Sequence, residues 1–382
     1  MQEERQILFE LLKNEVTGKK SERDALSEDT AVRLLSLAEK HDLSFLIADG
    51  LLKSGSFDKN SPVLKEINNE IYKTIRRTEQ FNHTLKIIKE LFEGAHIRFV
   101  PLKGAIIRGY YPSELMRTSC DIDILVPQED FERAIKLLGE NGFKKLNVKK
   151  HHDVSLYYGI THLELHFSLL ERVEDIDTLL LKAWDYVVPV TKYEYAETRE
   201  YFIFHHIAHM KYHFIGGGCG IKPFLDLFVL RQHNFYNEDK LYELLDLTGL
   251  RRFYDSIIAT LSVWFDGAAS NGLTQKIEDY ILGGGAFGTL ENKMAVQSYL
   301  RGSRAKNLWR SAFPKYELML GAYPILKKHK ILLPAFYVIN IFKDAFGKDA
   351  KKNRTKLGVI LNQKSSAINY AKDLLKDVGL EK

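Results

Sequence analysis

The sequence is poor in cysteine. Cys120 and Cys219 are the two thiols in 382 residues. Two thiols build neither a disulfide framework nor a cysteine-based zinc site, which points to a reducing compartment. Hydrophobic runs are short as well. The longest, Ile331 to Phe342, is interrupted by Pro334 and Asn340 and falls short of the ~20 apolar residues that a membrane span requires. The start, MQEERQILFELL, lacks the basic-then-apolar order of a secretion signal. These features predict a cytoplasmic protein with no membrane partner. Strong charge is also missing: the net charge is +5 with 27% charged residues. That balance permits an anionic substrate and argues against a long nucleic acid. Two catalytic signatures are absent too. Gly216 to Gly220 is not closed by G-K-[ST], so it is no P-loop and reads as a helix break or flexible loop. His205 is not followed by the glutamate of an H-E-x-x-H zinc motif.

What is present is a change of period along the chain. Residues 1–94 carry helical stripes, including a long helix opened by Ser61-Pro62, a capping serine before a first-turn proline. Between 95 and 175 the pattern turns to short alternating segments: 96–102, 120–126, 143–148, 154–158 and 162–169 read as strands, with a helix ending at Asn141-Gly142. From 176 to 346 helical spacing returns, near 198–213, 222–233, 238–247, 250–266 and 287–300. Residues 347–382 read as a basic linker, 347–356, and a terminal helix. The expected class is α+β: a small mixed sheet with flanking helices and a larger C-terminal helical domain.

The chemistry concentrates in the strand segments. Asp121 and Asp123 are two apart in C-D-I-D-I-L-V, so both leave one face of a strand while Ile122 and Ile124 enter a core. Adjacent carboxylates repel unless a cation lies between them, and Mg2+ prefers oxygen ligands. Glu164 lies in H-L-E-L-H-F and shares its face with His162 and His166. If this strand pairs with 120–126 the three carboxylates converge, a trio able to hold two metals for in-line displacement at phosphorus. Lys103-Gly104, at a strand-to-helix junction, suits an anion, with Lys103 a point charge for a polyphosphate and Gly104 admitting close backbone approach. Arg117 adds a second cation four residues before Asp121.

These segments resemble a known family. L-K-G-A, R-T-S-C-D-I-D-I-L-V, the acidic helix start Q-E-D-F-E, G-F, H-H and L-E-L-H-F are similar to the bacterial uncharacterised nucleotidyltransferase family of the polymerase-β-like superfamily. The likeness continues through H-I-A-H-M-K-Y-H-F and G-G-G-C-G-I-K-P-F-L-D-L, over roughly residues 30 to 345. It implies transfer of a nucleotidyl group from a nucleoside triphosphate, ATP by first expectation, to an acceptor hydroxyl with loss of pyrophosphate. The implied cofactor is Mg2+, as two ions, with Mn2+ as a substitute. Asp121 and Asp123 would bind both metals. Glu164 would complete one metal site and help deprotonate the acceptor, and Lys103 and Gly104 would contact the triphosphate. The superfamily's usual turn, glycine followed by glycine or serine, is replaced here by Lys103-Gly104-Ala105, and the gap to the D-h-D strand is longer. The acceptor stays open among a small hydroxylated molecule, a tRNA end and a protein side chain.

Other polar residues allow two readings each. His205, His209 and His213 share a helical face. They brace the site or touch substrate, His209 foremost along with His166, or they are polar residues at a helix–sheet interface. Asp226, among apolar neighbours in F-L-D-L, either faces an acceptor or cation, or sits in a buried salt bridge. Trp309, Phe313, Tyr316 and Tyr323 read as packing residues. The rival functions are a catalytically inactive nucleotide- or partner-binding pseudoenzyme and a metal-dependent phosphohydrolase on the His205–His213 face.

Overall fold

The computed structural model describes residues 2–19, 26–54, 57–146, 153–170, 174–347 and 349–381. His151-His152 and Lys348 therefore lie outside the described residues, as does the end of the strand expected over 143–148. The chain forms two compact units. One comprises Met1–Lys211 with Ile221–Ser270, the other Tyr212–Gly220 with Asn271–Lys382.

The first unit opens with helices α1 (Gln2–Thr17), α2 (Glu28–Lys40), α3 (Ser44–Ser54) and α4 (Pro62–Gly94). α4 begins as its sequence dictates. Ser61 Oγ accepts from the Val63 and Leu64 amides, and Pro62 occupies the first turn, where no amide donor is required. The sheet follows: β1 (Val100–Pro101), β2 (Asp121–Leu125), β3 (Lys144–Lys145), β4 (Asp153–Tyr158) and β5 (Thr161–His166), with α5 (Gly104–Ile107) after β1 and α6 (Phe131–Glu140) after β2. Its order is β1-β2-β5-β4-β3. β2 and β5 run parallel and the remaining pairs antiparallel, which makes the fold the mixed-sheet α+β class.

One sheet face is apolar. Ile122, Ile124, Val154, Leu156, Leu163 and Leu165 pack there against Phe81, Ile88 and Phe92 of α4 and Ala134 and Leu138 of α6. Alternation sends the intervening residues to the other face, where the polar site forms. Two strands are shorter than their patterns. β1 has two residues, because Pro101 donates no ladder bond and His96 turns at φ +56°. β3 is an exposed two-residue edge.

Later helices match the helical periods: Arg199–Ile215, Lys222–Gln232, Glu238–Leu247, Arg251–Phe265 and Leu290–Leu300. Two features differ from expectation. A further helix, Gly272–Gly284, absorbs two of the three glycines at 283–285. The expected linker 347–356 contains the start of a helix, Ala350–Leu361, held by Asn353 Nδ2 bonding to Asp344 Oδ1 at 3.1 Å. In the second unit Gly217 and Gly218 serve contact: a Cβ on Gly217 would lie 2.7 Å from the Thr289 carbonyl oxygen and one on Gly218 3.0 Å from Gly288 Cα. Of the two readings, the helix break is the one observed, since the helix Arg199–Ile215 ends just before these glycines, and the close backbone approach explains glycine there. Trp309 is 64% exposed and packs against Phe313, ring centroids 4.4 Å apart, a packing residue at the surface.

Candidate active site

The parallel register of β2 and β5 sets Asp121 beside His162, Asp123 beside Glu164 and Leu125 beside His166. In-register neighbours share a face, so Asp123 and Glu164 come together, while Asp121 lies on that face outside the group they form with His166. Asp123 is the hub. Its Oδ1 lies 2.9 Å from His166 Nε2 and its Oδ2 lies 3.7 Å from Lys103 Nζ. Glu164 stands close by, with Oε2 3.9 Å from His166 Nε2 and Oε1 4.0 Å from His162 Nε2. Asp123, Glu164 and His166 each offer a ligand atom within 4.8 Å of the others. This set of two carboxylates and an imidazole, with Asp123 and His166 buried and Glu164 half-buried, is the one such metal-capable group among the described residues. Two oxygen donors suit a hard divalent cation.

The two aspartates differ electrostatically. Burial, then the Asp123 charge, raises the Asp121 carboxyl above its ordinary range, with Glu164 adding and Lys103 and His162 opposing. Burial works against ionised Asp123 too. Yet the Lys103 ammonium, the His166 hydrogen bond and charge, and the field of His209 hold it well below the usual carboxylate range. His166 is thus integral to the cluster, and His209, on helix Arg199–Ile215, reaches it through space.

Lys103 arrives by an unusual backbone. Its φ of +46° with ψ −114° is a conformation that glycine adopts more readily. The turn is held from below: Arg108, buried over the Phe81 ring at 3.5 Å, donates Nε–H to the Gly104 carbonyl at 3.1 Å. Burial and the Arg117 charge push Arg108 down to about 10. Gly104 serves a close approach, since a Cβ there would lie 2.1 Å from Ser119 Oγ. Ser119 escaped sequence reasoning, because only tertiary folding brings it against Gly104.

Arg117 and Asp226 meet each other. Arg117 Nε and Nη2 donate to Asp226 Oδ1 and Oδ2 at 2.6 and 2.8 Å. Its Nη1 donates to Thr118 O at 2.6 Å and Ser119 Oγ at 3.2 Å. Tyr111 Oη, likewise invisible in the sequence pattern, donates to Asp226 Oδ1 at 2.8 Å. This buried knot fixes the turn leading into β2. Lys222 pairs nearby with Asp42 and donates to Thr118 O at 3.1 Å. Of Asp226's two readings, the buried salt bridge is the one observed. The histidine face does not gather: His205 Nδ1 pairs with Glu197 Oε1 at 3.0 Å, and among the described residues no metal-capable group includes His205, His209 or His213.

No curated protein and no solved structure matches the chain. Residues 27–266 match the model of a family described as uncharacterised nucleotidyltransferase, a span that stops short of the 345 suggested by the local motifs. With well over half of its length inside that match, the chain belongs to the uncharacterised nucleotidyltransferase family.

Proposed function

We propose that the protein is a cytoplasmic, Mg2+-dependent enzyme that transfers a nucleoside monophosphate from a nucleoside triphosphate, ATP foremost, to an acceptor hydroxyl. The observation that carries this reading is the parallel β2–β5 pairing, which aligns Asp121, Asp123 and Glu164 on one sheet face beside Lys103. The catalytic unit is residues 95–175, supported by the helices around it. Asp121, Asp123 and Glu164 would hold the metal, as two ions with Mn2+ able to substitute; Asp123 and Glu164 supply the oxygens of the metal-capable group, where His166 offers a third ligand, and Asp121 would join from the same sheet face. Bound there, the metal supplies charge stabilisation at the reacting phosphorus and at the leaving oxygen.

The chain's own residues do the rest. The acceptor oxygen forms a bond to the α-phosphorus, the bond from that phosphorus to the bridging oxygen breaks, and pyrophosphate leaves with its electron pair. Glu164 takes the acceptor proton. Lys103 places its ammonium against the triphosphate and exchanges its Asp123 contact for phosphate oxygens. Gly104 keeps that junction open to the ligand backbone. His166 orients Asp123, and His209 adds positive field to the same carboxylate. Arg117 and Asp226 are positioning residues that hold the turn before β2.

The test is release of pyrophosphate from each nucleoside triphosphate with Mg2+, with hydroxylated small molecules, tRNA and protein offered as acceptors. Wild type releases it, and Asp123→Asn loses at least about a hundredfold in kcat. Triphosphate binding without turnover under any acceptor would support the pseudoenzyme instead. Turnover unchanged in Asp123→Asn would refute the site.

A further inference from the structure

The helix Leu333–Phe346 is built inside out. Its sequence, LPAFYVINIFKDAF, is mostly apolar, yet none of its fourteen residues is buried. Ala335, Val338, Ile339, Phe342 and Phe346 recur at helical spacing and are exposed, with Ile331 one turn ahead. Exposure is 53% at Val338, 60% at Phe342, 75% at Phe346 and 89% at Ile331. Polar groups make the inward contacts. Tyr337 Oη donates to Pro314 O at 2.9 Å, Tyr323 Oη to Asn340 Oδ1 at 3.4 Å, and Asn353 Nδ2 to Asp344 Oδ1 at 3.1 Å. A contiguous apolar stripe facing water marks an interaction surface.

Cations stand at both ends of the stripe. Lys327, Lys328 and Lys330 precede the helix and are exposed; Lys351, Lys352 and Arg354 follow it and are exposed. Arg354 Nη2 donates to the Ala345 carbonyl at 3.0 Å, which fixes that cation at the helix's C-terminal end. Residues 324–356 hold nine lysines and arginines against two aspartates, a net +7 inside a chain of net +5. Burial and the nearby Arg301, Lys293 and Lys352 push the Lys356 ammonium below its usual range, a sign of crowded positive charge.

We propose that this face docks the protein on an anionic bilayer, the helix lying in the headgroup plane with Val338, Phe342 and Phe346 inserted among the acyl chains. Such a helix lies on the membrane rather than crossing it, which departs from the expectation of no membrane partner drawn from the short apolar runs. Among the described residues no helix is long and apolar enough to cross. A second copy of the chain fits less well, because a two-fold contact through the stripe sets like cations against each other. A lipid surface complements both halves of the feature: acyl chains take the stripe and anionic headgroups take the lysines.

Cosedimentation of the full chain with vesicles tests this. Binding is expected to vesicles of phosphatidylcholine with about one-third phosphatidylglycerol, and to be at least about tenfold weaker on phosphatidylcholine alone or at high salt. Phe342→Glu/Phe346→Glu and Lys327→Glu/Lys328→Glu/Lys330→Glu should each weaken it by at least about tenfold with the melting temperature unchanged, since every altered side chain is exposed. Three results would overturn the proposal: no wild-type binding to anionic vesicles at low salt, equal binding by the phenylalanine variant, or a solution dimer that Phe342→Glu dissolves.

Discussion

Burial and the neighbouring Asp123 charge hold the Asp121 carboxyl above its ordinary range, whereas Lys103 and His166 hold Asp123 below it. The consequences have opposite sign. For Asp121 the folded pKa exceeds the unfolded one, so its contribution to stability is present below the unfolded pKa and is lost as pH rises through the folded one. Asp121→Asn should therefore stabilise the metal-free protein at pH 7 by about 1 kcal/mol, abolish transfer, and lose its stability advantage in acid. Thermal melts across pH, paired with the pyrophosphate assay, check all three. For Asp123 the sign reverses: its stabilisation is present at neutral pH and lost in acid. Asp123→Asn should cost about 1–3 kcal/mol at pH 7, because the ammonium of Lys103 and the ring of His166 lose a charged partner. Gly104→Ala drives a methyl into Ser119 Oγ and should destabilise by about 1–3 kcal/mol, a loss that Ser119→Ala partly recovers in the double variant. The D-x-D pair was legible from alternation alone. Ser119 was not, since nothing in R-T-S-C says that its hydroxyl meets a glycine fifteen residues earlier.

Strand periodicity tells which residues share a face but not which strand lies alongside. The apolar and polar sides of β2 and β5 were readable from C-D-I-D-I-L-V and H-L-E-L-H-F, yet their parallel pairing is set by the path through α6, β3 and β4. Helix α4 was readable to its first residue, because Ser61 and Pro62 act locally. The bond between Arg117 and Asp226 was not, since it joins the turn before β2 to the helix Lys222–Gln232 across 109 positions. The pair gives an element-scale prediction. Asp226→Asn strands a buried guanidinium and should cost about 3–5 kcal/mol in urea unfolding, whereas Arg117→Met with Asp226→Leu should be far less damaging to the fold. If the pair positions β2, that double variant folds but turns over slowly, with the loss in kcat rather than KM.

At the scale of the molecule, every residue assigned to the proposed chemistry lies in the unit of Met1–Lys211 with Ile221–Ser270, and the family match ends at 266, just before that unit does. The helical character of both units followed from residue spacing. Their division did not, because Tyr212–Gly220 joins the second unit while its flanks belong to the first. Ligand linkage should act on the unit that holds the site. A triphosphate with Mg2+ at a hundred times its Kd should add about 2.7 kcal/mol to apparent stability. The shift should vanish in Asp121→Asn/Asp123→Asn, as differential scanning calorimetry would show.

Lys103 carries a consequence for descent. Its backbone sits where glycine would rest more easily, and under the proposed reaction its ammonium is the reason to keep a lysine there. Selection for stability alone would push the position toward glycine, and selection for turnover would resist. Position 103 is thus a marker of use: a descendant that had abandoned the reaction would be free to relax into glycine there, even while its paired aspartates lingered.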